Sequence, residues 1–396
     1  MWITATAVLL PAVTAAALAV SDSAPPQRKA IDSCSSPVSL DANTNVWKSH
    51  TLHANSIYRE KVEAAVETIT DSVLKTKALK VANAGTFLWI ESVADIDKIE
   101  FTLPNLACDQ ILGLVIHGLP GPRCAHASSS DIGNISVKAD AYQNRFINSI
   151  ADILEANAGK AFALIIEPKA LTFSVLNADL GSCQTVIESY RDGITYALTR
   201  LNLPNVIMYI DAGHGGSLGW KSNRERGAEE IARMYRTAGS PSQLRGFATN
   251  VAGWNSWDYK PGEFEYDGDA QYNPAQNEKI FVELFGKALD TVGVPNHAVI
   301  DTSRNGVIGL RENWTDWCNV NGAGFGVRPS TDTGLDLADS FIWVKPGGES
   351  DGTSDPNSFY YDSFCGRPDA FKPSPEVHMW NQAYFTMLLM NAHPPL

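Results

Sequence analysis

The sequence predicts an α/β protein built on a parallel sheet, and three observations carry that prediction. Short apolar runs rich in Val, Ile, Leu and Phe recur along the chain. Most are apolar throughout rather than alternating, as strands covered on both faces must be. Amphipathic stretches of helical length separate them, so strand, helix and strand follow one another as βαβ units.

The 396 residues open with Met1 to Ala19, apolar and small, with a Val8-Leu9-Leu10 centre and an Ala17-Leu18-Ala19 step suited to cleavage. This reads as a signal peptide that lacks the usual early Lys or Arg. Residues 20–45 read as an N-terminal arm rich in Ser, Pro and Asp. Residues 46–396 form the folded domain, and no Ser/Thr/Pro-rich linker joins a separate module to it. No later apolar stretch is long enough to cross a bilayer. Six cysteines suggest disulfides. Asn134-Ile135-Ser136 and Asn313-Trp314-Thr315 are glycosylation sequons. The expectation is a secreted, extracellular protein with no membrane partner.

The apolar runs are Phe87–Glu91, Leu112–His117, Phe162–Glu167, Val206–Asp211, Gly246–Asn250, His297–Asp301 and Ser340–Lys345. Helical patterns cover Tyr142–Ala156, Ile187–Leu201, Gly227–Arg236 and Asn277–Val292. Each run stops at a polar residue: Glu91, His117, Glu167, Asp211, Asn250, Asp301, Lys345. In a β/α barrel such strand ends build the site. A doubly wound sheet places ligands at its switch point instead. With no Gly-rich phosphate loop after the first strand, the pattern favours the barrel and leaves the open sheet as the alternative.

A net charge of −13 offers no basic face to phosphates, which argues against nucleic acid. Ten tryptophans and twelve tyrosines supply flat rings, some for the core and the rest for stacking on a ligand. No metal or other cofactor is expected, and the chain is expected to be a monomer.

Five segments, Asn202–His214, Arg245–Val251, Asp316–Val320, Gly324–Pro329 and Trp343–Asp355, resemble the signature stretches of glycoside hydrolase family 6, fungal cellobiohydrolase type. The resemblance runs from about Leu52 to Pro395. It implies a distorted β/α barrel with seven parallel strands, in agreement with the seven runs, and a β-1,4-glucan or cello-oligosaccharide as ligand. It also implies two loops enclosing a tunnel, here Leu119–Val137 and Pro346–Lys372. The family's disulfides imply Cys124–Cys183 and Cys318–Cys365, which leaves Cys34 and Cys108 to pair.

An inverting glycosidase needs one carboxylic acid for the leaving oxygen and one carboxylate to activate water on the opposite face. The family's acid is the Asp of a Glu-Pro-Asp step, and this chain reads Glu167-Pro168-Lys169. The Asp that tunes that acid precedes the first loop's cysteine, where this chain has Arg123. A lysine ammonium titrates about six units above a carboxylic acid and keeps the proton an acid must release. The family's proposed base matches Asp351, and a further site Asp matches Asp211.

The resemblance also implies stacking by Trp89, Trp220 and Trp317, and sugar contacts from His214, Asn250, Asp301, Arg304, Lys345 and Glu349. Glu91 and His117 join these as strand-end residues. His117 stands where a tyrosine is usual, with Gly118 in place of an acidic partner, and Ser217 replaces a Trp. A strand-end acid can instead cap its own turn, and any one tryptophan can be core.

These substitutions imply a non-hydrolytic pseudo-glycosidase that binds β-1,4-glucan. The alternative is an active cellobiohydrolase or glucanase with a relocated acid such as His117, or less readily Asp131. A third reading is a structural or partner-binding protein that ignores glycans. Two cations at the cleavage point also need an explanation. Either Lys169 pairs with Asp211 or Asp351, the favoured expectation, or the site takes a carboxylate-bearing sugar.

Overall fold

A computed structural model describes residues 34, 36–121, 124, 141–260, 262–264 and 268–396. The stretch read as a signal peptide, Arg123, Asp131, the sequon at Asn134 and most of the expected first loop lie outside the described residues.

Eight parallel strands make one sheet. They are β1 (Thr51–Leu52), β2 (Leu88–Ile90), β3 (Gln110–Ile116), β4 (Ala161–Ile166), β5 (Val206–Asp211), β6 (Leu244–Thr249), β7 (His297–Asp301) and β8 (Ala338–Ile342). From β3 to β8 they lie side by side in chain order. β1 pairs with the start of β3 and β2 with its end. The sheet's two margins then meet. Phe87 N–H donates to Trp343 O at 3.0 Å, and the Trp89 indole N–H donates to Val344 O at 2.9 Å. The result is a nearly closed barrel of seven principal strands, β2 to β8, one for each apolar run. β1, two residues long, was not expected and adds only a short flank.

β8 begins and ends earlier than the run Ser340–Lys345. Its ladder with β7 stops at the Asp301–Ile342 pair. Beyond it, the N–H groups of Val344 and Lys345 donate to the Asp301 carboxylate in place of a ladder partner.

Alternation along each strand explains the uninterrupted apolar runs. Val115, Ile165, Ile207, Tyr209, Val299 and Ile342 fill the barrel. Leu114, Ile116, Leu164, Met208, Phe247 and Ile300 face the outer helices. Of the predicted helices, Tyr142–Ala156 is a wide turn over Tyr142–Ile147 running into an α-helix over Asn148–Ala156. The others are Gln184–Arg200, Lys221–Thr237 and Glu278–Thr291.

Three helices not expected from sequence, Ser56–Thr68, Ser72–Ala82 and Gln382–Met390, build a separate core with Phe325 and Trp343. The described part of the arm packs across the barrel's N-terminal end. Val38 and Leu40 N–H groups bond the carbonyls of Ala158 and Pro204. The Trp47 indole reaches the Tyr209 hydroxyl at 3.1 Å inside the barrel. All six cysteines are paired, as Cys34–Cys108, Cys124–Cys183 and Cys318–Cys365.

Candidate active site

The C-terminal strand ends open into a cleft of about 1010 Å³. Trp89, Glu91 and His117 line it from β2 and β3. Lys169, Asp211, His214 and Trp220 line it from β4 and β5, and Trp317, Lys345, Glu349 and Asp351 complete the wall. Asn250, Asp301 and Arg304, expected as sugar contacts, lie beneath this surface.

Their burial has clear local causes. Asp301 receives four backbone N–H groups, from Ser303, Val344, Ala252 and Lys345, and so ties three strand ends together. The Asn250 amide joins the carbonyls of Asn255 and Asp301 and accepts from Asn255 N–H. Arg304 is 1% exposed, stacks 3.9 Å over the Trp254 ring, and grips Asp351 at 2.7 and 2.8 Å. These residues hold the mouth in shape.

Lys169 differs most from expectation. Its backbone is left-handed, with φ 71, and Glu167 two residues earlier is also at positive φ. That turn aims the Lys169 N–H, not its ammonium, at Asp211 Oδ2, 2.9 Å away. Nζ lies over the Trp317 ring instead, 5.4 Å from its centre. The expected ion pair with Asp211 or Asp351 is therefore corrected. Asp351 is occupied by Arg304 and by the Asn319 N–H at 2.9 Å, with Lys345 Nζ at 3.9 Å.

Asp211 Oδ2 also accepts from Gly213 N–H, while Oδ1 is buried without a hydrogen-bond partner among the described residues. Burial outweighs the two N–H bonds and pushes this carboxyl up to about 6. Glu167 is buried and accepts from the N–H groups of Gly118 and Leu119. It is structural, and His117 Nδ1 lies 3.7 Å from it. Burial, aided by the charge of Arg311, holds His214 down to about 4. His214 Nδ1 accepts from Gly216 N–H, so its proton sits on Nε2.

Two polar contacts hold the long segment after β8. Lys61, on the helix Ser56–Thr68, pairs with Glu349 at 2.6 Å, and His378 Nε2 lies 3.1 Å from the Glu91 carboxylate at the end of β2. Burial alone would raise Glu91, but the His378 hydrogen bond and the charges of His378, His117 and Lys345 bring it down to about 2. The aromatic wall is larger than sequence reasoning gave. Trp254 and Trp314 line the cleft as well, with Asn255 and Arg311. Trp314 sits inside the second sequon, whose Asn313 is exposed.

A nearly closed seven-stranded β/α barrel, with an aromatic-lined cleft at its mouth and Asp211 and Asp351 in the cleft wall, is a barrel of the glycoside hydrolase type. Residues 47–392 match the profile described as Glycosyl hydrolases family 6. The chain is 53% identical, over the full length of both, to 1,4-beta-D-glucan cellobiohydrolase CEL6C of Podospora anserina. Among solved structures it resembles the CcCel6A catalytic domain complexed with p-nitrophenyl beta-D-cellotrioside, with TM-score 0.83 and 34% identity, covering 89% of this chain and 99% of that one. It also resembles cellobiohydrolase II (Cel6A) of Humicola insolens in complex with glucose and cellotetraose, with TM-score 0.82 and 36% identity, covering 89% of this chain and 100% of that one. The chain belongs to glycoside hydrolase family 6.

Proposed function

We propose that this protein binds β-1,4-glucan chains in the barrel cleft and does not hydrolyse them by the family's usual acid. The single observation that carries the reading is Lys169, a cation on the cleft surface at the strand-end step where the family has its acid. A proton donor must release its proton as the leaving oxygen departs, and an ammonium exposed to water keeps it. Losing the acid lowers the rate by about 10²- to 10⁴-fold. Trp89, Trp220 and Trp317 supply flat faces for sugar rings, and Lys345, Glu349 and His214 supply hydrogen-bonding groups beside them. Secretion fits three disulfides that use every cysteine. No helix of the described residues is long and apolar enough to cross a membrane.

Incubation with amorphous cellulose or cello-oligosaccharides between pH 4 and 8 tests the reading. The expected result is binding by calorimetry with no more cellobiose than a blank.

A second reading is a live hydrolase with a relocated acid. Asp211 favours it, because a carboxyl that keeps its proton to about pH 6 faces the cleft. His117, on the neighbouring strand end and also lining the cleft, is another candidate donor. Steady cellobiose release that is lost in His117→Ala or Asp211→Asn would establish this reading against the first.

A further inference from the structure

The cleft's charges are almost fully paired among the described residues, and the exception is informative. Of its four lysines, Lys61 meets Glu349, Lys98 meets Asp95, and Lys345 lies 3.9 Å from Asp351. Asp316, the remaining acid near Trp317, is taken by Arg367. Lys169 has an aromatic contact and no carboxylate among the described residues. Asp211, which the Lys169 backbone N–H contacts, already accepts two backbone N–H groups and stays protonated up to about pH 6.

An ammonium that meets no carboxylate among the described residues of a binding cleft can receive an anion. A cation over an exposed ring gains less than one that meets a carboxylate in a charge-assisted hydrogen bond. The ring it covers is Trp317, one of the flat faces proposed for glucose. A sugar seated on Trp317 takes the ring face from the Lys169 ammonium, which is then left beside the sugar's ring substituents. A neutral glucose presents only hydroxyls there.

We infer that this cleft selects β-1,4-linked glucan chains that carry a carboxylate on the sugar seated at Trp317, with Lys169 as the group that recognises it. The inference rests on the glucan-binding reading above and specifies its ligand. The carboxylate has two chemical sources: an oxidised chain end, which is an aldonic acid, and an oxidised C6 position, which is a uronic acid.

The test compares cellotetraose, its aldonic acid and a C6-oxidised cello-oligosaccharide of equal length. Affinities are measured by calorimetry with the full chain and with Lys169→Met, in low and high salt. One of the oxidised ligands is expected to bind about tenfold more tightly than cellotetraose, the scale of one charge-assisted contact at a partly exposed site. Which one does so identifies the source. The ratio should fall toward one in high salt, because the contact is screened, and in Lys169→Met. Equal affinities for neutral and oxidised ligands overturn the inference while leaving glucan binding intact. A preference that survives in Lys169→Met also overturns it, by moving recognition elsewhere. Failure of all three ligands to bind removes the glucan reading and this inference with it.

Discussion

Lys169 binds Asp211 through its backbone N–H, at 2.9 Å, while its ammonium turns away to the Trp317 ring. Asp211 is thus held by two backbone amides, and the Lys169 ammonium meets no carboxylate among the described residues.

This arrangement sets the terms for restoring catalysis. Lys169→Asp alone should recover little hydrolysis: the family resemblance sets Arg123, which lies outside the described residues, at the position of the acid-tuning Asp, and a guanidinium beside the new carboxyl would keep it ionised. The double change with Arg123→Asp removes that charge. It should raise cellobiose release from amorphous cellulose by 100-fold or more over the parent, on the scale of a regained general acid, about 10²- to 10⁴-fold. Release by the double variant no greater than by the parent would show that more than the acid pair is missing.

The aromatic wall makes a second prediction. Trp220→Ala and Trp317→Ala should each weaken cello-oligosaccharide binding by about 1 kcal/mol, or roughly fivefold, as for a typical aromatic pairing. Calorimetry reads this directly. Trp89→Ala is the less clean variant, since its indole also bonds Val344 across the barrel's closing seam. Its thermal stability should fall along with its affinity. Unchanged affinity in all three places the glucan site elsewhere.

The buried pair of Arg304 and Asp351 makes a third. Arg304 has no exposed side-chain surface and Asp351 only 7%. Removing one partner strands the other charge, which typically costs about 3–5 kcal/mol. Asp351→Ala should therefore lower the midpoint of chemical denaturation steeply. Asp351→Asn, whose single amide oxygen can still accept from Arg304 and from the Asn319 N–H, should cost less. If the two variants were equally stable, Asp351 would not be the anchor of Arg304.

How far the sequence could reach depends on which physics it encodes. Strands buried on both faces leave uninterrupted apolar runs, so all seven principal strands were legible. β1 has only two residues and leaves no such run. The helix Ser56–Thr68 buries Tyr58, Val62, Ala65 and Val66 at helical spacing, so the sequence does carry its signal. The strand-end polar residues marked the correct rim but not their division of labour. Asp301 and Asn250 look like ligand contacts in sequence, and only the fold reveals the N–H groups that consume them. Lys169 failed for a different reason. A side chain's reach can be estimated from its length, but a left-handed turn at Glu167 and Lys169 decides where it points, and nothing in Glu-Pro-Lys announces that turn.

Asp211 provides the last prediction. Burial raises its carboxyl from an ordinary 3.8 to about 6 in the folded protein. Between those values the folded state binds more protons than the unfolded chain, so this group's contribution to stability declines as pH rises. Above pH 6 the full cost of a buried charge applies. The gap between 3.8 and about 6 corresponds to about 3 kcal/mol. Asp211→Asn carries no charge at any pH. Its amide oxygen still accepts from the N–H groups of Lys169 and Gly213, and its NH₂ replaces the oxygen that has no partner. The variant should therefore be more stable than the parent at pH 7.5, by up to about 3 kcal/mol, with the gap closing toward pH 4. Chemical denaturation of both proteins across that range measures it. A gap that widens as pH falls would mean that Asp211 is ionised and held by a cation in the folded state, and the geometry of Lys169 would then have to be redrawn.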